Sequence, residues 1–321
     1  MRSTIRLVFA AIAVVAVCSA ARYPERPIRL IVPYPEGGGA DYWGRLVAKK
    51  LSDSLGKPVV VENIPGAGGN KGTAIAAAAK PDGYTLLLGS VGPLAVHPYT
   101  YATLAFDAEK SFIPISMLES SPILLVAHPG VEAASAEQLI SAARAQPDSL
   151  SYASNGNGSP EQVAGELFKK RANVQIRHIP YDGAGPARKA VLARQASLMF
   201  DPCKGALPAI RQGNQKALAV ATASRLAALP DVPTFAEIGV PQYELRIWTG
   251  ILAPAGASDE IVTKISHAVQ EILRTPEIRK EIADEGGEAA TTTPEQFATF
   301  ITAERARWSA LVRESGIPKV Q

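Results

Sequence analysis

Three glycine-rich turns hold most of the residues in this chain whose types and spacing suggest chemistry, and that chemistry is holding rather than bond-making. They are Val32-Pro-Tyr-Pro-Glu-Gly-Gly-Gly-Ala-Asp41, Glu62-Asn-Ile-Pro-Gly-Ala-Gly-Gly-Asn-Lys-Gly72 and Ser151-Tyr-Ala-Ser-Asn-Gly-Asn-Gly-Ser-Pro160, each following a short apolar run and leading into a helix-like segment. Glycine lets backbone N–H groups converge without a Cβ in the way, and a helix N-terminus adds partial positive charge, so such turns cradle anionic or hydrogen-bonding ligands. No Gly-x-Ser-x-Gly elbow accompanies them, and His97, His128, His178 and His267 form no metal-spaced pair. These histidines read as surface or packing residues, and no cofactor or metal is expected.

Two stretches imitate a dinucleotide fingerprint and fail it. In Gly66-Ala-Gly68-Gly-Asn-Lys-Gly72 the third glycine falls one place late, and Gly183-Ala-Gly185-Pro-Ala-Arg188 fails the same test. With no Walker A sequence either, nucleotide binding is set aside. Asp41 is read as the cap of a helix beginning at Tyr42, with a ligand contact as the alternative. Asp201 ends an apolar strand, and the carboxyl ends of strands in open sheets face the binding crevice. Tyr34 and Tyr181 either wall a pocket or pack. Ser159-Pro160-Glu161-Gln162 has the form of a capping box, but Thr293-Pro-Glu-Gln296 repeats that device far away, so the Asn155-Gly-Asn-Gly158 loop before Ser159 is what points to binding.

The elements that must position these turns alternate. Apolar runs at 28–32, 59–61, 84–88, 123–127, 150–153, 175–179, 197–200 and 217–221 are separated by helix-like segments at 42–55, 136–145, 161–171 and 187–194. This is the pattern of βαβ units and predicts an α/β fold with parallel sheets. Two segments, Ile113 to Val126 and Arg246 to Ala253, are candidates to cross between domains. If both cross, the chain makes two lobes around a cleft, with the first lobe completed by the C-terminus. The expected boundaries are 22–122 plus 249–321 for lobe 1 and 123–248 for lobe 2, and such a clamp closes by hinge motion.

Composition removes other classes of function. The chain of 321 residues is 47% hydrophobic, ample for buried cores, and its formal charge of +3 is spread without a basic run. Nucleic acid is therefore not an expected partner. Arg2 and Arg6, the apolar stretch Leu7 to Val17 and small residues through Ala21 have the three-part layout of a signal peptide over 1–21. Export as a soluble periplasmic protein is expected, with a lipoprotein anchored at Cys18 as the alternative. Removal of that segment leaves Cys203 without a partner for a disulfide.

Several motifs in fixed order carry a family resemblance. They are Tyr23-Pro-x-Arg-Pro27, the first glycine turn through Asp41, Val61 to Gly72, Asp82 to Ser90, Pro180-Tyr-x-Gly-Ala-Gly-Pro186, Leu229 to Thr234 and Ala253-Pro-Ala-Gly256. Together they resemble the Bug-type receptors, the extracytoplasmic solute-binding proteins of tripartite tricarboxylate transporters. The resemblance implies a two-lobed periplasmic-binding-protein fold (type II), each lobe a mostly parallel sheet flanked by helices. It also implies a monomer that binds a small-molecule solute and delivers it to membrane permease subunits, with no reaction performed. Carried onto this sequence, one lobe offers Tyr34, Gly37, Gly38, Gly39 and Asp41, with Asn63 and Ser90 nearby. The other offers Ser154, Asn155, Gly156, Asn157, Gly158 and Ser159, with Tyr181 and Asp201 closing the far side. Two positions depart from the family: Glu36 stands where a small or apolar residue is usual, and Gln162 where a histidine is usual. A Glu36 carboxylate about 5 Å from a bound anion opposes it by about 3 kcal/mol at an effective dielectric near 20. From its place inside the ligand turn, Glu36 is expected in the cleft, selecting a ligand with a cationic, amide or hydroxyl group; the alternative is a solvent-facing Glu36 and a plain carboxylate ligand. The rival readings are a receptor reporting to a membrane sensor kinase, and an exported isomerase or hydrolase using Asp201 with His178 or a cleft tyrosine.

Overall fold

The computed structural model describes residues 23–321, so the expected signal segment and Cys18 lie outside the described residues. The first strand, β1 (Ile28–Val32), is buried at every position but Arg29, which only an inner strand can satisfy. It is followed by α1 (Gly39–Leu55), β2 (Val59–Asn63), α2 (Asn70–Ala77) and the wholly buried β3 (Thr85–Ser90). β1 pairs in parallel with β2 on one side and β3 on the other. A π-helical turn at Gly92–Val96 and the short α3 (His97–Thr100) come next, elements that the apolar periodicity does not signal.

The chain then leaves on β4 (Phe112–Ala127), sixteen residues long and buried along nearly its whole length. The second lobe follows as α4 (Ala136–Ala145), β5 (Ser151–Ser154), α5 (Pro160–Ala172), β6 (Arg177–Pro180), α6 (Ala184–Leu192), β7 (Leu198–Pro202), α7 (Cys203–Arg211) and β8 (Lys216–Val220). β5 pairs in parallel with β6 and β7. The return is β9 (Arg246–Pro254), and the C-terminal region adds α8 (Asp259–Arg274), α9 (Pro276–Asp284), β10 (Glu288–Ala289) and α10 (Pro294–Ser315). The strand order is β2-β1-β3-β9-β4-β7-β5-β6, with β10 and β8 both on β4.

The outer strands of each lobe are parallel, as the βαβ pattern predicts, but the strands linking the lobes are antiparallel to their neighbours. β4 pairs with β9 from Phe112 to Pro122 and then with β7 from Ile123 to Ala127. One strand leaves and the other returns, so they must run in opposite directions. Leu245, just before β9, donates to Ala221 O and accepts from Ile123 N–H, so departure and return lie side by side. Ile28, Leu30, Trp43, Leu51, Leu86 and Val269 pack together in the first lobe, and Leu124, Met199, Leu207 and Val220 in the second. α10 lies across both: Arg305 donates to Leu94 O at 2.9 Å, while Glu314 pairs with Arg171 of α5 at 2.7 Å.

Candidate functional site

A single carboxylate braces the turn that leaves β1. α1 begins at Gly39, so Asp41 lies in its first turn and is not the cap of a helix starting at Tyr42. Asp41 Oδ2 accepts from Gly37 N–H at 2.9 Å and from Arg45 Nε at 3.0 Å, and its Oδ1 accepts from Asn63 Nδ2 at 3.0 Å. Burial works to raise this carboxyl's pKa, but Arg45, Gly37 and Asn63 outweigh it and hold it below the usual carboxylate value. Asn63 Nδ2 also donates to Tyr34 O at 3.0 Å, tying β2 to the turn. Gly38 is the N-cap and has no side chain to accept, so the N–H groups of Gly39, Ala40 and Asp41 find no acceptor among the described residues. Unpaired N–H groups at a helix start are the kind of donors that anions accept from. The hydroxyls of Tyr34 and Ser90 lie 2.7 Å apart, and burial pushes the Tyr34 phenol up to about 12.

Glu36, expected in the cleft, has a side chain that is 77% exposed and pairs with Arg45 at 3.2 Å.

The opposing turn follows β5. Ser154 is fully buried, with its Oγ 2.6 Å from His178 Nε2 and accepting Gly156 N–H at 3.2 Å. Ser159 caps α5 by accepting Gln162 N–H at 3.2 Å. The Gln162 side chain accepts from Gly158 N–H at 2.6 Å, one residue upstream of the donor in a full capping box, whereas Thr293 and Gln296 do close the full box. Asn155 Oδ1 is buried without a partner among the described residues. A hollow of about 440 Å³ opens over Gly156, Asn157, Pro180, Tyr181, Asp182 and Pro186.

The two walls meet. Thr100 Oγ1 donates to Gly158 O at 2.9 Å, Tyr101 Oη donates to Asn157 O at 3.4 Å, and Lys204 Nζ lies 3.9 and 3.7 Å from the ring centroids of Tyr42 and Trp43. Gly158 has φ +79°, and a Cβ there would sit 2.9 Å from the Tyr101 ring and 3.1 Å from Thr100 Oγ1. Gly158→Ala is therefore expected to weaken ligand binding about tenfold, since overpacking costs about 1–3 kcal/mol and falls on the closed form. Titration calorimetry checks it; unchanged affinity would mean that closure does not use this contact.

Two residues that the sequence did not single out stand near Asp201 in the second lobe. Glu161, the second residue of α5, is 4% exposed, and its Oε2 has no partner among the described residues. Burial, reinforced by Asp201, pushes its carboxyl up to about 7 against the pull of its own N–H, Arg188 and Ser159. Arg188 of α6 grips Asp201, whose side chain is fully buried, through Nε at 2.6 Å and Nη2 at 2.8 Å. Asp201 thus has both oxygens engaged within its own lobe. Arg188 was visible only inside a failed nucleotide motif, and Glu161 only as an acidic residue beside a cap, which the helix dipole already explains. His178, held down to about 4 mainly by burial, bonds Ser154 and lies 3.3 Å from Gln162 Nε2, while Asp201 bonds Arg188. The acid and base of the enzymatic reading thus have different partners. Among the described residues, no group of three or more His, Cys, Asp or Glu side chains is placed to hold a metal.

Comparison with known proteins agrees with this geometry. The family model described as the tripartite tricarboxylate transporter family receptor, TctC, matches residues 44–317. Protein BugT of Bordetella pertussis is 36% identical over 315 residues, covering 98% of this chain and 97% of that one. An R. palustris protein solved with adipate superposes with a TM-score of 0.90 at 32% identity, over 93% of this chain and all of that one. MatC from Rhodopseudomonas palustris, solved with bound malate, gives 0.85 at 32% identity, over 90% of this chain and all of that one. With two lobes and relatedness along nearly its whole length, the chain belongs to the Bug-type receptors of the tripartite tricarboxylate transporter family.

Proposed function

We propose that this protein is a soluble, monomeric periplasmic receptor that captures a small organic acid or related metabolite, of carboxylate, amide or amino acid type. It delivers that solute to the membrane permease subunits of a tripartite transporter. The lobes comprise 22–122 with 249–321 and 123–248, and the segment 1–21 is removed on export. The observation that carries this reading is the uncapped start of α1, whose N–H groups at Gly39, Ala40 and Asp41 are free among the described residues. A carboxylate bound by several such donors gains about 1.5–3 kcal/mol from each, so a few reach the roughly 8 kcal/mol of micromolar affinity without an arginine.

Tyr34, Gly37, Gly38, Gly39 and Ser90, with the N–H groups of Ala40 and Asp41, contact the solute from one lobe, and Asn155 to Ser159 with Tyr181 from the other. The side chains of Asp41, Asn63, Ser154 and Asp201 act by holding these contacts in place, since they already have internal partners. Guests in two relatives, adipate and malate, support an acid as ligand. A thermal-shift screen of organic acids, amides and amino acids tests the reading. A ligand at 100 times its Kd adds about 2.7 kcal/mol and raises Tm. No stabilisation by any compound would refute it.

A further inference from the structure

Glu161 presents a buried carboxylate oxygen with nothing to accept. Its Oε2 is buried and has no hydrogen-bond partner among the described residues. Its surroundings identify what is missing. On its own lobe stand Asp201 and Arg188, but Arg188 already gives Nε and Nη2 to Asp201. Two carboxylates therefore share one cation. Across the cleft stands Tyr34, close enough for the Glu161 charge to act on its phenol, and the Tyr34 hydroxyl is hydrogen-bonded to Ser90. A buried acceptor left unpaired is costly, and a buried carboxylate more so, which marks Oε2 as a place for a donor brought by the guest.

We infer that Glu161 is a specificity-determining residue, accepting a hydrogen bond from an ammonium or carboxamide nitrogen on the solute while the solute's carboxylate is held by the opposing glycine turn. The inference rests on the receptor reading above and narrows it. The charge count favours nitrogen: an ammonium balances the second carboxylate, and a carboxamide donates without adding charge. A plain dicarboxylate instead sets a third anion beside Glu161 and Asp201. Glu36 takes no part, being exposed and paired with Arg45.

Matched ligands test this by titration calorimetry at pH 7.5: succinate and malate against aspartate and asparagine, and glutarate against glutamate and glutamine. The wild type is expected to bind at least one nitrogen-bearing member about tenfold or more tightly than its plain partner, the scale of one hydrogen bond to a charged group. Glu161→Gln is expected to weaken an ammonium ligand by about 10- to 100-fold and to leave the plain acids within about threefold or tighter. Its melting curve confirms that it is folded. Plain acids or malate binding the wild type as tightly as the nitrogen-bearing members would overturn the inference while leaving the receptor reading intact. So would a nitrogen preference that survives in Glu161→Gln. Binding of no member would overturn the inference, and the receptor reading falls with it only if the broad thermal-shift screen also finds no ligand.

Discussion

Arg188→Met is expected to lower the unfolding free energy by about 3–5 kcal/mol, the loss typical when one partner of a buried ion pair is removed. Asp201 is fully buried, and Arg188 supplies the hydrogen bonds to both of its oxygens. Without the guanidinium the carboxylate has no water to turn to. The cost belongs to the orphaned charge rather than to the pair itself, so Arg188→Met combined with Asp201→Leu is expected to recover most of the loss. Urea unfolding of wild type, single and double variants measures this. A loss below about 1 kcal/mol in the single variant would mean that the pair behaves like an exposed one. α7 is built around this side chain, since a Cβ at Gly205 would lie 1.6 Å from Arg188 Nη2.

Glu161→Gln, without ligand, is expected to be more stable than wild type at pH 8 and equal to it at pH 4. Burial raises the folded-state pKa of Glu161 to about 7 from an unfolded value of 4.5. Below 4.5 the group is protonated in both states and costs nothing. Between 4.5 and 7 the unfolded chain ionises first, so rising pH erodes stability, and above 7 the full penalty remains. A shift of that size corresponds to about 3 kcal/mol. Glu119, also pushed up to about 7 by burial, contributes the same slope, but it is present in both proteins and cancels in the difference. His97 and His178, held down to about 3 and about 4 by burial, act oppositely and erode stability as pH falls below 6.5. Removing Glu161 should therefore shift the stability optimum towards higher pH. Parallel melting curves for the two proteins from pH 4 to 8 would exclude a strained Glu161.

Local patterns made the elements legible. Ile28–Val32 as a strand and Ala136–Ala145 as a helix are seen with the bounds that their patterns predict. Capping chemistry located the start of α5 within a residue, because Ser, Pro and Gln at fixed spacing satisfy orphan N–H groups. The same logic failed at α1. There Asp41 reaches back to Gly37 from inside the helix, and the cap is a glycine with no side chain to announce it. The π-helical turn and α3, which bring Thr100 and Tyr101 against Gly158, have no periodic signature at that length.

Sequence by itself determined the α/β class, the three glycine turns and, through the order of several motifs, the receptor family. Each is set by residues near one another in the chain, or by their order along it. Only the tertiary structure decided which acidic groups are exposed and which are buried. Glu36, within the first glycine turn, is exposed and paired with Arg45, while Glu161, hidden beside a helix cap, is buried where Asp201 and Arg188 act on its charge. Arg188 and Asp201 lie on different elements. The charge state and hydrogen-bonding capacity of a carboxylate depend on what surrounds it in space, and these neighbours are brought together only by folding.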